Sequence, residues 1–201
     1  MQSTRVFDIE KVTWQYVPIF KGIIRMLTGF QLRAARAVLN VFTKDLGESI
    51  GLHYSTLVRL EEQTPNLSYL KCNSRTLLLI TNYFENNGLL FPNKETIALK
   101  KYMDSNIQVI SENDLTRFQL KTARIAMRLS QKLLGEYIGL SQSTLSELEG
   151  AGNNTDFIKC DEIKVKYIKS FFIKNGIFFP DHFSVELIDD PIIIKSTKKT
   201  I

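Results

Sequence analysis

The apolar residues of this chain recur mainly every three or four positions, which is the period of an amphipathic α-helix. Near residue 30, one such face is formed by Leu32, Ala35, Leu39 and Phe42. Its counterpart near residue 120 is formed by Leu120, Ala123 and Met127. The pattern predicts that helices dominate the fold and that similar helices return in the second half of the chain.

Further helices are expected in pairs along the two halves. Gly51 and Gly139 are expected to end a short second helix in each half, because glycine adopts the left-handed conformation that closes a helix. The predicted pairs lie at 44–50 and 132–138, at about 54–62 and 142–149, and around 77–84 and 165–172.

Residues suited to capping stand where several of these helices begin. Thr28, Thr116 and Ser130 can each accept a hydrogen bond from the first helical turn. Phe42 occupies the position equivalent to Ser130 and has no such oxygen. We therefore expect the next residue, Thr43, to cap that helix.

Short apolar segments with alternating character follow each set of helices and predict β-strands. They lie near 97–99, 107–109, 185–187 and 192–194. Two arrangements fit them: one small sheet that docks two parts of the chain together, or a sheet that joins two chains.

The two halves of the chain are copies of one sequence. A shift of 88 residues aligns 27–93 with 115–181 without a gap, and about two in five aligned residues are identical. A solenoid needs three or more copies, so we expect two small domains, each with its own core. Around them lie an N-terminal extension at 1–26 that is a candidate dimer contact, a linker with short strands at 94–114, and strands with a basic tail at 182–201.

Composition narrows the protein class. The 201 residues are 44% hydrophobic and 23% charged, which is typical of a globular chain. No apolar run reaches the roughly 20 residues that span a bilayer, and the first residues lack the apolar core of a secretory signal, so we expect a cytoplasmic protein without a membrane partner. Cys72 and Cys160 are too few for a disulfide framework or a zinc site and are expected to be small core residues.

Two segments of the second copy resemble a known family. They read Gln119-Leu-Lys-Thr-Ala-Arg124 and Ser130-Gln-Lys-Leu-Leu-Gly-Glu-Tyr-Ile-Gly-Leu-Ser-Gln-Ser-Thr-Leu-Ser-Glu-Leu-Glu149. Both are similar to the lambda-repressor-like (Cro/XRE-type) DNA-binding domain, which the first copy resembles less closely. The resemblance implies a mostly α fold: two tandem lambda-repressor-like helix-turn-helix domains with short β-strands after each. It also implies a bacterial or phage-type transcriptional regulator that binds double-stranded DNA, more often a repressor in this family.

Members of that family place the third helix in the major groove, so the resemblance assigns base contacts to its side chains. In the second copy these are Gln142, Ser143, Ser146 and Glu147, and in the first copy Tyr54, Ser55 and Arg59. Glutamine suits adenine, glutamate the cytosine amino group and arginine guanine. The two third helices are therefore expected to read different sequences.

The resemblance also implies contacts with DNA phosphates at the start of the second helix and in the loop after the third. The residues are Ser130, Gln131, Asn153 and Asn154 in the second copy and Thr43 in the first. Because the first copy lacks the Ser–Gln pair, two interpretations stay open for it. Either it reads a different sequence, or it contacts a protein partner.

Two residue pairs match an internal ion pair of the family. Arg36 with Glu61, and Arg124 with Glu149, are expected to tie the first helix of each copy to the end of its third helix. Their role is structural, because a buried pair of this kind is costly to break on one side.

Other function classes are less well supported. The chain has no glycine-rich phosphate loop, no zinc-ligand spacing and no clustered nucleophile, base and acid, so we expect neither an enzyme nor a bound cofactor or metal. A protein-interaction module, such as an antitoxin or adaptor, is one alternative, and a homodimer is left open. A non-specific nucleoid protein is a second alternative. The small net charge of the copies, +1 for 27–93 and +3 for 115–181, argues against it.

Overall fold

The computed structural model describes residues 26–100, 114–150 and 152–189. This part of the chain is mostly helical, as predicted, with a small antiparallel sheet. The helices of the first copy are α1 (Gly29–Val38), α2 (Thr43–Ile50), α3 (Tyr54–Gln63) and α4 (Ser74–Asn86). Those of the second copy are α5 (Arg117–Ala126), α6 (Gln131–Ile138), α7 (Gln142–Gly150) and α8 (Glu162–Lys174). The strands are β1 (Leu89–Leu90), β2 (Thr96–Leu99), β3 (Ile177–Phe178) and β4 (Ser184–Leu187).

The first helix of each copy begins with two reciprocal hydrogen bonds. Thr28 Oγ1 accepts from the backbone N–H of Gln31 at 3.4 Å, and Gln31 Oε1 accepts from the N–H of Thr28 at 3.0 Å. Thr116 and Gln119 repeat the arrangement at 3.2 and 2.9 Å. The N-caps predicted at both threonines are confirmed, and each glutamine satisfies a further N–H that the helix start leaves exposed.

The second helices differ at their starts. Ser130 caps α6 as predicted, accepting from the N–H of Leu133 at 3.1 Å. The prediction that Thr43 caps α2 is wrong: Phe42 stands at the cap position without a side-chain bond, and Thr43 is the first residue inside the helix. A capping residue needs non-helical backbone angles to aim its oxygen at the first turn, which a residue inside the helix lacks.

Both second helices end as the sequence predicts. Gly51 and Gly139 adopt left-handed conformations, with φ of 67° and 69°. A side chain at such a φ is strained, so these glycines fix the sharp change of direction after α2 and α6.

The strands form one four-stranded antiparallel sheet in the order β1-β2-β4-β3. Of the two arrangements left open by the sequence, the sheet therefore docks the two copies of one chain. Its central pair, β2 and β4, has Ile97 opposite Val185. The segments predicted at 107–109 and 192–194 lie outside the described residues.

A single hydrophobic core runs through both copies. α1 packs against α5, and one connected cluster of buried apolar side chains holds Phe30 from the first copy and Phe118 from the second. The expectation of two separate cores is therefore wrong, because the α1–α5 contact joins them. Cys72 and Cys160 are half-buried against this core, in line with their predicted role.

No helix within the described ranges combines the length and the apolar character that crossing a bilayer demands.

Candidate nucleic-acid interface

The second copy presents α7 directly after a tight turn from α6. α6 ends at Ile138, Gly139 caps it, and α7 begins at Gln142. Ser141 accepts from the N–H of Thr144 at 3.0 Å and so caps α7. A Cβ at Gly135 would overlap the carbonyl oxygen of Leu140. Only glycine therefore lets α6 lie this close to the turn.

One side of α7 is polar and open to solvent. Its exposed residues are Gln142, Ser143, Ser146 and Glu147. The opposite side buries Leu145 and Leu148 against the core. Among the exposed residues, Ser143 is hydrogen-bonded to the capping residue: its Oγ lies 2.7 Å from Ser141 Oγ. This bond orients the Ser143 side chain at the start of α7. The structure thus brings the four predicted base-reading residues of the second copy onto one accessible helix.

A buried ion pair fixes the position of α7. Arg124 Nε donates to Glu149 Oε1 at 2.6 Å, and its Nη2 donates to Oε2 at 2.7 Å. Only 2% of the Glu149 side chain is exposed. Arg124 Nη1 also donates to the carbonyl of Leu129 at 2.8 Å. The predicted pair is confirmed, and it links α5, the α5–α6 turn and the end of α7.

Gln131 is attached to the same cluster. Its Nε2 donates to Glu149 Oε2 at 2.9 Å. A glutamine amide has two N–H groups, so this bond orients the side chain at the first residue of α6 and leaves a second donor. Ser130, just before it, is exposed. The N-terminus of α6 therefore gathers a hydroxyl, an amide and first-turn backbone N–H groups.

The first copy repeats this frame with different side chains. Arg36 binds Glu61 through Nε at 2.5 Å and Nη2 at 2.8 Å, which confirms the second predicted ion pair. The pair is more exposed than its counterpart, with 26% of the arginine side chain and 11% of the glutamate side chain accessible. Thr43 stands where Gln131 stands and carries no amide to bind Glu61.

The start of α3 is capped by a histidine. His53 Nδ1 accepts from the N–H of Ser55 at 3.3 Å and lies 2.7 Å from Ser55 Oγ. Tyr54, Ser55 and Arg59 are all exposed, as a role in contacting a ligand requires. This cap was not expected from the sequence, because histidine is not among the usual N-cap residues.

The loop after α7 holds Asn153 and Asn154, to which the resemblance assigns phosphate contacts. Asn154 is half-buried, and its Nδ2 donates to the carbonyl of Val38 in α1 at 3.1 Å. Asn153 is exposed, and its N–H donates to Asp156 Oδ2 at 2.9 Å. Asn154, to which the resemblance assigns a phosphate contact, therefore uses one amide N–H in a contact between the two copies.

Two arginines that the sequence did not point to, the buried Arg117 and the half-buried Arg33, hold the ends of the third helices. Arg117 Nη1 donates to the carbonyls of Glu147 and Leu148 at 2.7 and 2.6 Å. Arg33 Nη1 donates to those of Glu61 and Thr64 at 2.6 and 3.0 Å. They occupy different positions in the repeat, so the alignment of identities gave no signal for them.

Comparison of the chain with models of protein families, with curated proteins and with solved structures finds no match.

Proposed function

We propose that this protein is a sequence-specific regulator of transcription that binds double-stranded DNA through two tandem helix-turn-helix units. In this proposal α7 and α3 enter major grooves. The observation that carries it is the exposed polar side of α7, which follows a three-residue turn and is fixed from behind by the Arg124–Glu149 pair. Repression is the proposed direction, because it is the commoner one in the family that the sequence resembles, and the proposed location is the cytoplasm.

Affinity for any duplex would come from the phosphate contacts. The N-terminus of an α-helix favours anions because its first N–H groups are unpaired and its dipole is positive there. At α6, the Ser130 hydroxyl and the second N–H of the Gln131 amide add to those donors. Glu149 supports this role by holding Gln131 in place at 2.9 Å.

Specificity would come from α7. The Gln142 amide has the geometry for a bidentate bond to adenine, and Glu147 can accept from the amino group of cytosine. Ser143 and Ser146 share the exposed side and can bond to either purine or pyrimidine edges. Tyr54, Ser55 and Arg59 would take the same positions in the first copy, with Arg59 suited to guanine.

Selection of duplexes from a random pool by the purified chain tests the proposal. We expect enrichment of a defined sequence, and the logarithm of the binding constant should fall linearly with the logarithm of salt concentration. Equal retention of all duplexes with a steep salt dependence would instead mean a non-specific nucleoid protein. No binding at low salt would overturn the DNA-binding function.

A protein-docking role for the first copy is the second candidate. Phe42 is 74% exposed and Tyr54 is 53% exposed, at the starts of α2 and α3. Their counterparts in the second copy are the polar residues Ser130 and Gln142. Aromatic side chains are enriched at protein interfaces. Footprinting distinguishes the roles: protection of one half-site per chain would support protein docking by the first copy.

A further inference from the structure

The two copies contact each other reciprocally in the sheet. The N–H of Leu99 donates to the carbonyl of Phe183 at 2.9 Å, and the N–H of Leu187 donates to the carbonyl of Glu95 at 2.9 Å. Leu187 is the repeat counterpart of Leu99, and Phe183 that of Glu95. When residue i of one unit contacts residue j of the other and j contacts i, the units are related by a two-fold axis.

The same reciprocity appears at the helices, away from the sheet. Asn66 Nδ2 donates to the carbonyl of Ala126 at 2.9 Å, and Asn154 Nδ2 donates to the carbonyl of Val38 at 3.1 Å. In the repeat, Asn154 is the counterpart of Asn66 and Ala126 that of Val38. Helices α1 and α5, which these bonds join to the opposite copy, also pack against each other. An approximate two-fold axis therefore relates the entire copies.

We infer that one chain binds an imperfect inverted repeat, with one half-site for each copy. This inference rests on the proposed function and adds the symmetry of the target. A two-fold axis relates α3 and α7 by a half-turn, so the half-sites they read run in opposite directions on the duplex. A flexible tandem array would permit direct repeats, but the fixed contacts between these copies do not.

The two half-sites differ because the exposed side chains differ. In the alignment of the two copies, Tyr54 corresponds to Gln142 at the first position of the third helix. Five residues later, Arg59 corresponds to Glu147. Arginine favours guanine where glutamate favours cytosine. The expected target is inverted in geometry and unequal in sequence.

The first test rearranges the selected duplex. With its two half-sites placed in inverted, everted and direct orientation at about one helical turn of separation, the inverted duplex should bind one chain per duplex. It should bind roughly 100-fold more tightly than the others, because only there can both helices engage at once. Tightest binding to the direct or everted duplex, or two chains on the inverted one, would overturn the inference alone. Failure to retain any duplex would overturn the proposed function and the inference together.

The second test makes the two third helices more alike. The double variant Tyr54→Gln, Arg59→Glu should shift its preference toward a perfect palindrome built from two copies of the α7 half-site. The comparison is between duplexes for the same variant, so the lost positive charge affects both equally. Arg75→Glu, at the exposed start of α4, is the control for charge and should keep the unequal target. A double variant that still prefers the original target would contradict the assignment of α3 to one half-site.

Discussion

Ile97 lies directly opposite Val185 in the β2–β4 pair, and the two residues occupy the same position of the sequence repeat. The axis that relates the copies passes through this pair. Thr96 is correspondingly opposite Glu186, and Ala98 is opposite Ser184. The interface between the copies is therefore the kind that two identical subunits form, although both sides belong to one chain.

The two ion pairs should differ in their effect on stability. Arg124→Met leaves the Glu149 carboxylate buried without its partner, which should lower the free energy of unfolding by about 3–5 kcal/mol. Arg36→Met should cost less, because water reaches that pair more readily. Denaturant unfolding of both variants measures the difference.

An exposed ion pair supplies the control for that comparison. Lys44 Nζ lies 3.8 Å from Glu48 Oε1 on the surface of α2. Lys44→Met should change the unfolding free energy by less than about 1 kcal/mol. If Arg124→Met were as mild as Lys44→Met, the structural role of the Arg124–Glu149 pair would be excluded.

Substitutions of Gln142 and Gln131 should have different effects on DNA binding. Gln142→Ala should weaken binding to the selected duplex by about 1–3 kcal/mol and relax the preference at one base pair. Gln131→Ala should weaken all duplexes alike and reduce the salt dependence. Titrations at several salt concentrations measure both effects, and Gln63→Ala at the exposed end of α3 is a matched control. Unchanged affinity in both test variants would remove the second copy as the DNA reader.

Two glycines should respond to alanine for different reasons. Gly135→Ala introduces a Cβ that overlaps the Leu140 carbonyl oxygen, so α6 must move, at a cost of about 1–3 kcal/mol. Gly139→Ala meets no atom within 4 Å but keeps φ at 69°, so we expect a cost of about 1–2 kcal/mol. Thermal and denaturant unfolding give both values. Gly150→Ala, in open space at the end of α7, should be neutral or slightly stabilising.

The two reciprocal asparagine bonds should contribute unequally to the free energy of unfolding. Asn66→Ala should cost about 1–3 kcal/mol, because Asn66 is buried and the Ala126 carbonyl loses a donor. Asn154→Ala should cost less, because Asn154 is half-buried. Asn82→Ala on the exposed side of α4 is the control. If Asn66→Ala lowered the free energy of unfolding no more than Asn82→Ala does, the bond to Ala126 would not stabilise the interface.

The sheet should make stability depend on pH through Glu186. Burial raises the pKa of this carboxyl, and the nearby Glu95 carboxylate raises it further. Because the folded pKa exceeds the unfolded value, the unfolded chain loses this proton first as pH rises. Stability should therefore fall between the ordinary glutamate pKa and the raised one.

Removing the ionisable group isolates that effect. Glu186→Gln should flatten the fall in stability and make the protein more stable than the wild type at neutral pH. Unfolding free energies measured between about pH 4 and pH 8 show both changes. Glu136→Gln, exposed on α6, should keep the wild-type profile. A wild-type profile in Glu186→Gln would exclude this carboxyl as the source.

Local features of the fold were predictable because they depend on residues close in sequence. The capping threonines bind N–H groups three residues away, and Gly51 and Gly139 end their helices through their own backbone angles. The ion pairs came instead from the resemblance to a family. The chemical character of the exposed α7 residues was likewise visible in the sequence, since exposure follows from the helical period.

The contacts between the copies were not predictable in the same way. Asn154 and Val38 are 116 residues apart, and no local spacing encodes their bond. The repeat alignment does contain one sign of this contact. Between 62–70 and 150–158, Asn66 and Asn154 form the only identical pair among nine aligned positions. The structure explains this isolated identity, because each asparagine makes the same bond to the opposite copy. The alignment alone does not show that reason.

The covalent connection of the two copies changes how this interface responds to dilution and to mutation. Two separate subunits dissociate as their concentration falls, whereas copies joined in one chain stay at a fixed effective concentration. In a homodimer every substitution appears twice across the axis. Here a substitution at Tyr54 leaves Gln142 unchanged. The exposed residues of each copy can therefore vary separately while the shared core and the central strand pair stay the same.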